Sequence, residues 1–526
     1  MSTYAKMRTR RDNWRRKTGE LSTQLHYQRR ENRRVKRERD QYKREWRSSQ
    51  RALKALQQNR TLQPRQDKTG LVLIALQLFL VARIGFRAVS RVLAVMASQL
   101  GLTKPPCAQT IINWVTRLSL ARMRDVAPST PSAARFPRGY ILLLDISIGL
   151  GQGKILTLLA LDPHHHGTQQ GAPALKHLRC VAVAVADTWN GETIAALLGE
   201  VIARFGAPIA YLKDGGTDLA KAVRVLNTPD AASVSIDDLS HYAANLLKHA
   251  FEGHPQYPIF LQACGAVSKR LKQTVLACLA PPKVSTKARF MNLHRLVSWA
   301  ERLLAQSPRG RAATGSLLQK LRDAFDSLPL CKRFINDYLA NAKPILESQS
   351  LLKRRGVNQT TYDECQRQLA TIPLASIRIP LSMWLDNHLA VARALGLQTM
   401  GLPISSDGIE SLFGVGKHLG TGQIKDANRI ALRIPALCGE LTRADAEAVL
   451  RVTVKEQNEA IGSLPSLIKQ RRDVFSKGEG LAAITNHAAQ PSLRLVPGSK
   501  SPKTIALPID ITRNIVNGPD PCPSPG

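Results

Sequence analysis

The sequence predicts an α/β protein with a mixed β-sheet, a long helical insertion and a basic helical N-terminus. Between residues 140 and 237, apolar runs typical of strands and amphipathic segments typical of helices occur in the order β-β-β-α-β-α-β. From about residue 254 to 400 the strand patterns stop, and apolar residues recur with helical periodicity. Three successive strands followed by alternating helices and strands indicate a mixed sheet with helices on its faces.

The chain is strongly basic. Its 526 residues include 75 Lys or Arg against 39 Asp or Glu, a formal net charge of +36. This excess favours a polyanionic partner. No run reaches the roughly 18 apolar residues that a membrane span needs, and the N-terminus lacks the apolar region of a secretory signal. We therefore expect no membrane partner and a cytoplasmic, nucleoid-associated protein. The eight widely spaced cysteines include no C-x-x-C pair, so neither a zinc ribbon nor a disulfide framework is expected.

Residues 1–70 hold 22 Lys or Arg and 7 Asp or Glu. Between residues 12 and 58 there is no Pro and Gly19 is the only Gly, so a long helix is allowed. Large apolar residues are too sparse there for a convincing coiled-coil seam. The segment is expected to be a basic helical arm lying along phosphates, and the alternative is a solvated, partly disordered arm. The candidate DNA-binding residues of the arm are Arg30, Arg33, Arg34, Lys36 and Arg37.

Residues 71–130 predict a helix-turn-helix-like domain. In its second helix Ile111, Trp114 and Val115 follow helical spacing and form the inward face. The outward residues are candidates for contacting DNA in the major groove; they are Gln109, Thr110, Asn113 and Arg117. A plain helical bundle would show the same periodicity. A stretch rich in Pro and Ala, residues 127–137, separates this domain from the strands.

The remaining boundaries follow the changes of pattern. The first part of the sheet domain is expected at 135–253, the all-helical insertion at 254–400 and a further helix of the sheet domain at 401–425. More helices follow at 426–477. Residues 478–526 are rich in Pro, Ser and Gly, and a disordered tail is expected there.

Two carboxylates stand at the predicted ends of apolar strands. Asp145 follows the first strand and Asp214 the fourth, and adjacent strands can bring such residues together. Clustered carboxylates are suitable ligands for Mg²⁺. Glu410 is the candidate third carboxylate, because it begins a helix that can lie across the strand ends. Each has a structural alternative: Asp214 precedes Gly215 and Gly216 as in a turn, and Asp407 with Glu410 fits a capping box.

Three short segments carry a family resemblance: 141–145, 210–216 and 406–414. Their order resembles the triad blocks of DDE transposases of bacterial insertion sequences, which have an RNase H-like catalytic core, over about residues 70–425. The resemblance implies that Asp145, Asp214 and Glu410 bind two Mg²⁺ ions, for which Mn²⁺ can substitute. It also implies that a water nicks the transposon end and the freed 3′-hydroxyl attacks target DNA. The implied partners are double-stranded DNA and further copies of the chain, as a homodimer or larger homo-oligomer.

Other residues gain candidate roles from the same resemblance. The helical insertion is similar to that of hAT-type transposases. Lys417 lies seven residues after Glu410, as in the E-x6-K element of several insertion-sequence families, and the alternative is a solvent-facing lysine. His241 is a candidate partner of a catalytic carboxylate or the scissile phosphate, and the alternative is a structural His beside a helix-capping Asp238.

Trp299, in the insertion, is a candidate for stacking on an unpaired base, with core packing as the alternative. Residues 411–418 do not match a Walker A loop, so no nucleotide cofactor is expected. Two other functions stay open: a domesticated or inactive transposase that only binds DNA, and an RNase H-like DNA nuclease without strand transfer.

Overall fold

The computed structural model describes residues 3–58, 67–125, 136, 139–148, 153–164, 173–227, 233–284, 289–306, 311–418, 427–461 and 494–495. Of the predicted linker only Phe136 lies within these ranges, and of the predicted tail only residues 494–495. The chain divides into two compact units, residues 1–66 with 97–103 and residues 67–96 with 104–526. None of the helices in the described ranges combines the length and apolarity that a membrane span requires.

One long helix dominates the first unit. This helix is α1 (Thr3–Gln58). The arm is thus helical over these residues, whereas the alternative was a partly disordered arm. Its described side chains are almost all exposed. Ion pairs one turn apart, such as Arg16 with Glu20 at 3.9 Å, stabilise such a helix only weakly.

In the second unit three helices correspond to the predicted helix-turn-helix-like pattern. They are α2 (Lys68–Leu80), α3 (Phe86–Val95) and α4 (Ala108–Asp125). Asp67 caps α2, and the rings of Phe79 and Phe86 stack at 4.2 Å where α2 meets α3. The Ser90 hydroxyl of α3 donates to the Pro106 carbonyl at 2.9 Å, which ties α3 to the segment that leads into α4.

The sheet has six strands and confirms the mixed α/β class. The strands are β1 (Ile141–Ile148), β2 (Lys154–Leu161), β3 (Leu178–Ala186), β4 (Ala210–Lys213), β5 (Val234–Asp237) and β6 (Arg494–Leu495). Their order in the sheet is β5-β4-β1-β2-β3-β6. The first three strands form the predicted antiparallel meander, whereas β4 pairs parallel to β1 and β5 parallel to β4.

Helices α5 (Gly191–Phe205) and α6 (Thr217–Leu226) pack on the sheet and share its apolar core. Asn190 caps α5, with its side chain accepting from the backbone N–H of Thr193. The Tyr140 hydroxyl donates to the Gly206 carbonyl at 2.8 Å, so the end of α5 is fixed to the start of β1.

The predicted insertion is helical throughout its described residues. Its helices, with the one that leads into it, are α7 (Leu239–Phe251), α8 (Gln256–Leu271), α9 (Arg289–Ala305), α10 (Leu317–Phe325), α11 (Lys332–Arg355), α12 (Gln359–Leu369) and α13 (Ala375–Ala394). Aromatic side chains form its centre: the Phe334 ring lies 5.3 Å from Phe260 and 5.6 Å from Tyr257, and Phe251 lies 5.2 Å from Tyr338. The insertion therefore has a core of its own.

The chain returns from the insertion to the sheet through a short antiparallel bridge. Val357 and Leu402 exchange two backbone hydrogen bonds of 2.9 Å. Gly356 precedes the bridge with a φ of +66°, and a side chain there would meet the backbone of Gly401 and Leu402 at 2.7 Å. The close approach requires glycine at this position.

Five helices follow the bridge. They are α14 (Asp407–His418), α15 (Ala427–Ala431), α16 (Ile434–Leu437), α17 (Arg443–Arg451) and α18 (Val454–Ile461). Beyond them, Arg494 and Leu495 pair antiparallel with β3, and Arg494 forms an ion pair with Glu200 at 2.6 Å. At these two residues the structure differs from the predicted disordered tail, because an edge strand offers unpaired backbone groups to any extended segment.

A buried arginine fixes the C-terminal helices to α4. The guanidinium of Arg122 donates to both carboxylate oxygens of Asp445 at 3.0 and 3.1 Å, and to the carbonyl oxygens of Ala436, Cys438 and Glu440. Burial alone would raise the pKa of Asp445, but the hydrogen bonds and charge of Arg122 outweigh it and hold this pKa below its usual value.

Replacing Arg122 with Ala should lower the free energy of unfolding by about 3 to 5 kcal/mol, since Asp445 would stay buried without its partner. Arg124→Ala is the matched control: its ion pair with Glu456 is largely exposed and should contribute less than about 1 kcal/mol. Urea denaturation measures both. Because the pKa of Asp445 is lowered, the difference between wild type and Arg122→Ala should shrink as the pH falls through that pKa. Equal losses in the two variants would contradict the prediction.

Candidate active site

Asp145 and Asp214 lie side by side across the parallel pair of β1 and β4. The last residues in the register of this pair are Leu144 and Lys213, and the two aspartates come directly after them. The prediction that Asp145 ends its strand is wrong, because β1 continues to Ile148 and Asp145 pairs with Thr157 of β2. The short β4 ends at Lys213, so its backbone does not pair with Asp145 and other groups can approach Asp145 from that side.

Asp214 occupies a tight turn at the end of β4. Its Oδ1 accepts a hydrogen bond from the Gly216 backbone N–H at 3.0 Å. A Cβ at Gly216 would come within 2.9 Å of that same oxygen. The turn that was the structural alternative for Asp214 is thus present, and it fixes one oxygen while the side chain stays half-buried.

Glu410 is held in place by a buried carboxylate on another element. Asp238, at the N-cap of α7, accepts from the backbone N–H and the hydroxyl of Ser406 at 2.6 and 3.0 Å. The Ser406 carbonyl in turn accepts from the backbone N–H groups of Ile409 and Glu410, which begins α14. Asp238 therefore sets where the first turn of α14 starts, and with it the position of Glu410.

His241 links the same carboxylate to Glu410. Its Nδ1 lies 3.1 Å from Asp238 Oδ1 and its Nε2 lies 3.7 Å from Glu410 Oε1. The hydrogen bond with Asp238 is the largest of the effects that raise the pKa of His241 to about 9, and the charges of Glu410 and Asp214 add to it. Asp238 caps α7, as in the structural alternative, and the imidazole also contacts Glu410, the candidate catalytic glutamate.

The three carboxylates influence one another. Burial, followed by repulsion from Asp214 and then Glu410, raises the pKa of Asp145 to about 7. Burial also raises the pKa of Glu410. Within the described ranges no three His, Cys, Asp or Glu side chains have converged to metal-binding distances. The donor set nevertheless fits a divalent cation, because three carboxylates, which are hard oxygen ligands, lie close enough for the charges of Asp214 and Glu410 to act on Asp145.

Lys417 lies on the same side of α14 as Glu410 and reaches β1. Its Nζ donates to the Ser147 hydroxyl at 2.6 Å. Ser147 is two residues beyond Asp145, so both side chains lie on one face of β1. The lysine is only partly exposed, in contrast to the solvent-facing alternative. Nothing in the sequence pattern singled out Ser147, since a serine within an apolar strand carries no signal of its partner.

A cleft of about 300 Å³ opens beside Glu410 between α7, α9 and α11. Polar side chains at its wall include Asn292, His294, Gln349 and Lys353. Lys353 also forms an ion pair with Asp407 at 2.7 Å. The cleft gives a ligand access to the glutamate from the side of the insertion.

The predicted DNA-contacting face of α4 is partly covered. Arg117 Nε donates to Gln457 Oε1 at 2.7 Å, and Gln457 Nε2 donates to Asn113 Oδ1 at 3.0 Å. The prediction that Asn113 and Arg117 lie outward is wrong, because α18 packs on them. Gln109 is exposed and donates to Asn113 at 3.0 Å, and Thr110 is partly exposed. No periodicity within α4 could have shown that a segment 340 residues away covers it.

The five candidate DNA-binding residues of the arm are exposed, whereas Trp299 is buried. Arg30, Arg33, Arg34, Lys36 and Arg37 are all exposed on α1. Trp299 is buried in the insertion, and its indole N–H donates to the Leu279 carbonyl at 3.1 Å. Its ring lies 6.3 Å from that of Phe325. Core packing, the alternative, is what the structure has, so stacking of Trp299 on DNA is excluded in this conformation.

Comparison with known proteins finds similarity among solved structures alone. No protein-family model and no curated protein sequence matches the chain. Among solved structures, the Drosophila P element transposase strand transfer complex is similar, with a TM-score of 0.35 and 11% sequence identity. The similarity covers 75% of this chain and 97% of that chain.

Replacing Asp238 with Asn should lower the pKa of His241 from about 9 towards or below its usual value of 6.5, because the hydrogen bond to Asp238 is the main cause of the shift. A ¹³C-histidine NMR titration measures it, with His241→Gln to assign the signal. In wild type the protonated imidazole stabilises the fold fully below pH 6.5, and this contribution is lost as the pH rises through about 9.

Asp237→Asn is the matched control, since Asp237 pairs with Lys213 at 2.6 Å rather than with His241. It should leave the His241 signal unchanged. A His241 pKa that stays near 9 in Asp238→Asn would contradict the assignment of the hydrogen bond.

Proposed function

We propose that the chain is a DNA transposase of the DDE type, which cleaves transposon ends in a metal-dependent reaction and transfers the 3′-hydroxyl into target DNA. The observation that carries the proposal is that Asp145, Asp214 and Glu410 lie close enough for repulsion from Asp214 and Glu410 to add to the burial that raises the pKa of Asp145. The strand order supports it, because a central β1 flanked by an antiparallel meander and two parallel strands is the sheet expected of an RNase H-like core.

The three carboxylates would hold the divalent cations, with Mg²⁺ as the expected metal and Mn²⁺ as a substitute. When bound, such ions activate the attacking oxygen and stabilise the leaving oxygen of a phosphoryl transfer. His241, protonated at neutral pH, balances part of the charge of Glu410 and keeps its carboxylate towards the site. Lys417 adds a positive charge next to β1, where it can contact a phosphate of the substrate strand.

The proposed reaction consists of two phosphoryl-transfer steps. A water oxygen attacks phosphorus, the bond from phosphorus to the 3′-oxygen breaks, and a 3′-hydroxyl is released. That hydroxyl then attacks a target phosphodiester and displaces its 3′-oxygen. Both steps need the same carboxylates, so one substitution should remove both.

A DNA-binding protein without catalysis is the second candidate function. It is favoured by one observation, that the three carboxylates have not converged to metal-binding distances in the described residues. An RNase H-like nuclease without strand transfer differs from the transposase only in its products. Both alternatives predict the same binding surfaces, so only reaction products separate the three.

Replacing Glu410 with Gln should reduce cleavage and joining by more than about a hundredfold, because it removes a metal ligand rather than a residue that supports one. The substrate is a labelled duplex carrying the DNA that flanks the gene, with Mg²⁺ or Mn²⁺. Glu347→Gln, an equal charge change on the exposed side of α11, is the control and should keep activity. DNA affinity should be unchanged in both variants.

The products decide between the candidates. Nicked ends joined to new DNA support the transposase, and nicks without joining support the nuclease. If wild type and Glu410→Gln both bind and neither cuts with either metal, the binding-only function replaces the proposal.

Replacing Arg30, Arg33, Arg34 and Arg37 together with Ala should lower DNA affinity equally for all sequences. Each phosphate contact contributes about 0.9 to the slope of log K against log salt, so losing four should reduce the slope by about 3 to 4. Fluorescence anisotropy between about 50 and 200 mM salt measures the slope. An unchanged slope would show that the arm does not contact phosphates.

A further inference from the structure

Helix α1 exposes large apolar side chains at a fixed spacing. Eight described residues of this helix are large, apolar and 49–71% exposed. Five of them are spaced by multiples of seven: Met7, Trp14, Leu21, Val35 and Tyr42. Leu25 and Trp46 follow four residues after Leu21 and Tyr42, so they lie on the same face. Only Tyr27 lies off this face.

A spacing of seven and four marks the seam of a coiled coil. With the row of five at heptad position d, position a is held by Arg11, Thr18, Leu25, Asn32, Arg39 and Trp46. An apolar row of this length is rarely left in water on a helix that acts alone. The expectation that apolar residues are too sparse for a seam rests on their number, whereas the proposal below rests on their spacing.

We propose that α1 binds α1 of a second copy as a parallel, in-register, two-stranded coiled coil. Flanking charges select the second copy in this orientation. In a parallel pair, position g of one helix faces position e of the next heptad in the other. Glu31 and Glu38 stand at g, and Lys36 and Lys43 stand five residues later at e. Each glutamate therefore faces a lysine of the partner subunit.

The antiparallel arrangement is disfavoured by the same positions. It would place the e row of one helix against the e row of the other. Apart from Ser22, the described e positions are basic: Arg8, Arg15, Arg29, Lys36 and Lys43. Like charges along the e side of the seam would repel. A single Asn at position a, here Asn32, is in addition a residue that specifies register in parallel dimers.

The seam leaves four of the five proposed DNA-binding residues of the arm away from the partner helix, whereas the fifth, Lys36, flanks the seam at position e. Arg30 and Arg37 occupy position f, and Arg33 and Arg34 occupy b and c, on the side away from the partner. A parallel dimer would thus present two copies of the basic face along one rod. The inference does not rest on the catalytic proposal, because it concerns only the first unit of the chain and is tested without DNA or metal.

The test measures self-association of the full chain by sedimentation equilibrium. Tyr42→Lys places a charge on the seam, and Tyr27→Lys makes the same change off it. Both helices of the dimer carry Tyr42→Lys, so a large apolar side chain is lost from each. The substitution should therefore weaken the dimer about a hundredfold or more. Tyr27→Lys should leave the dimer unchanged. A monomeric wild type, or equal effects of the two variants, overturns the proposal.

Charge reversal tests the orientation. Lys36→Glu with Lys43→Glu should weaken the dimer at low salt, and adding Glu31→Lys with Glu38→Lys to the same chain should restore it. Restoration is expected only if g faces e in a parallel pair. If Lys36→Glu with Lys43→Glu strengthens the dimer without the glutamate substitutions, the helices are antiparallel and the parallel register is overturned. Failure of this proposal leaves the cleavage assay unaffected, so the two can fail separately.

Discussion

The buried carboxylate of Asp238 is the interaction on which the candidate site depends. It accepts from the backbone N–H of His241 and from both the N–H and the hydroxyl of Ser406, and it contacts the His241 ring. Asp238 and Ser406 are 168 residues apart in the chain. A buried carboxylate needs several hydrogen-bond partners to remain ionised. The free-energy cost of desolvating Asp238 therefore favours the fold in which Ser406 and His241 stay in contact with it.

The insertion can be long because its helices pack around a core of their own. Its aromatic core supports it independently, and the bridge between Val357 and Leu402 delivers the chain back towards β5. The Leu239 N–H then donates to the Ile404 carbonyl at 3.2 Å, two residues before Ser406. Because the entropy of closing a loop grows only slowly with its length, the return to Asp238 depends on these few contacts rather than on the size of the insertion.

Patterns along the sequence predicted the features that depend on residues near one another in the chain. Strand order along the chain, the helical insertion, the position of Asp214 after β4 and that of Glu410 near the start of α14 follow from periodicity, whereas Asp145 lies within β1 rather than at its end. Three features could not be predicted this way. The contact of Lys417 with Ser147, the covering of Asn113 and Arg117 by Gln457 and the burial of Trp299 all depend on partners distant in sequence. The apolar row of α1 is different, because it can be read from the sequence as a spacing of residues rather than as a composition.

The central claim is that Asp145, Asp214 and Glu410 form one divalent-metal site. Replacing the metal with Fe²⁺ in the presence of ascorbate and peroxide generates hydroxyl radicals that cleave the backbone beside the bound ion. The account predicts cuts near residues 145, 214 and 410 together, suppressed by excess Mg²⁺ and lost in Glu410→Gln. Cuts confined to one of these segments, or cuts unaffected by Mg²⁺, would contradict it.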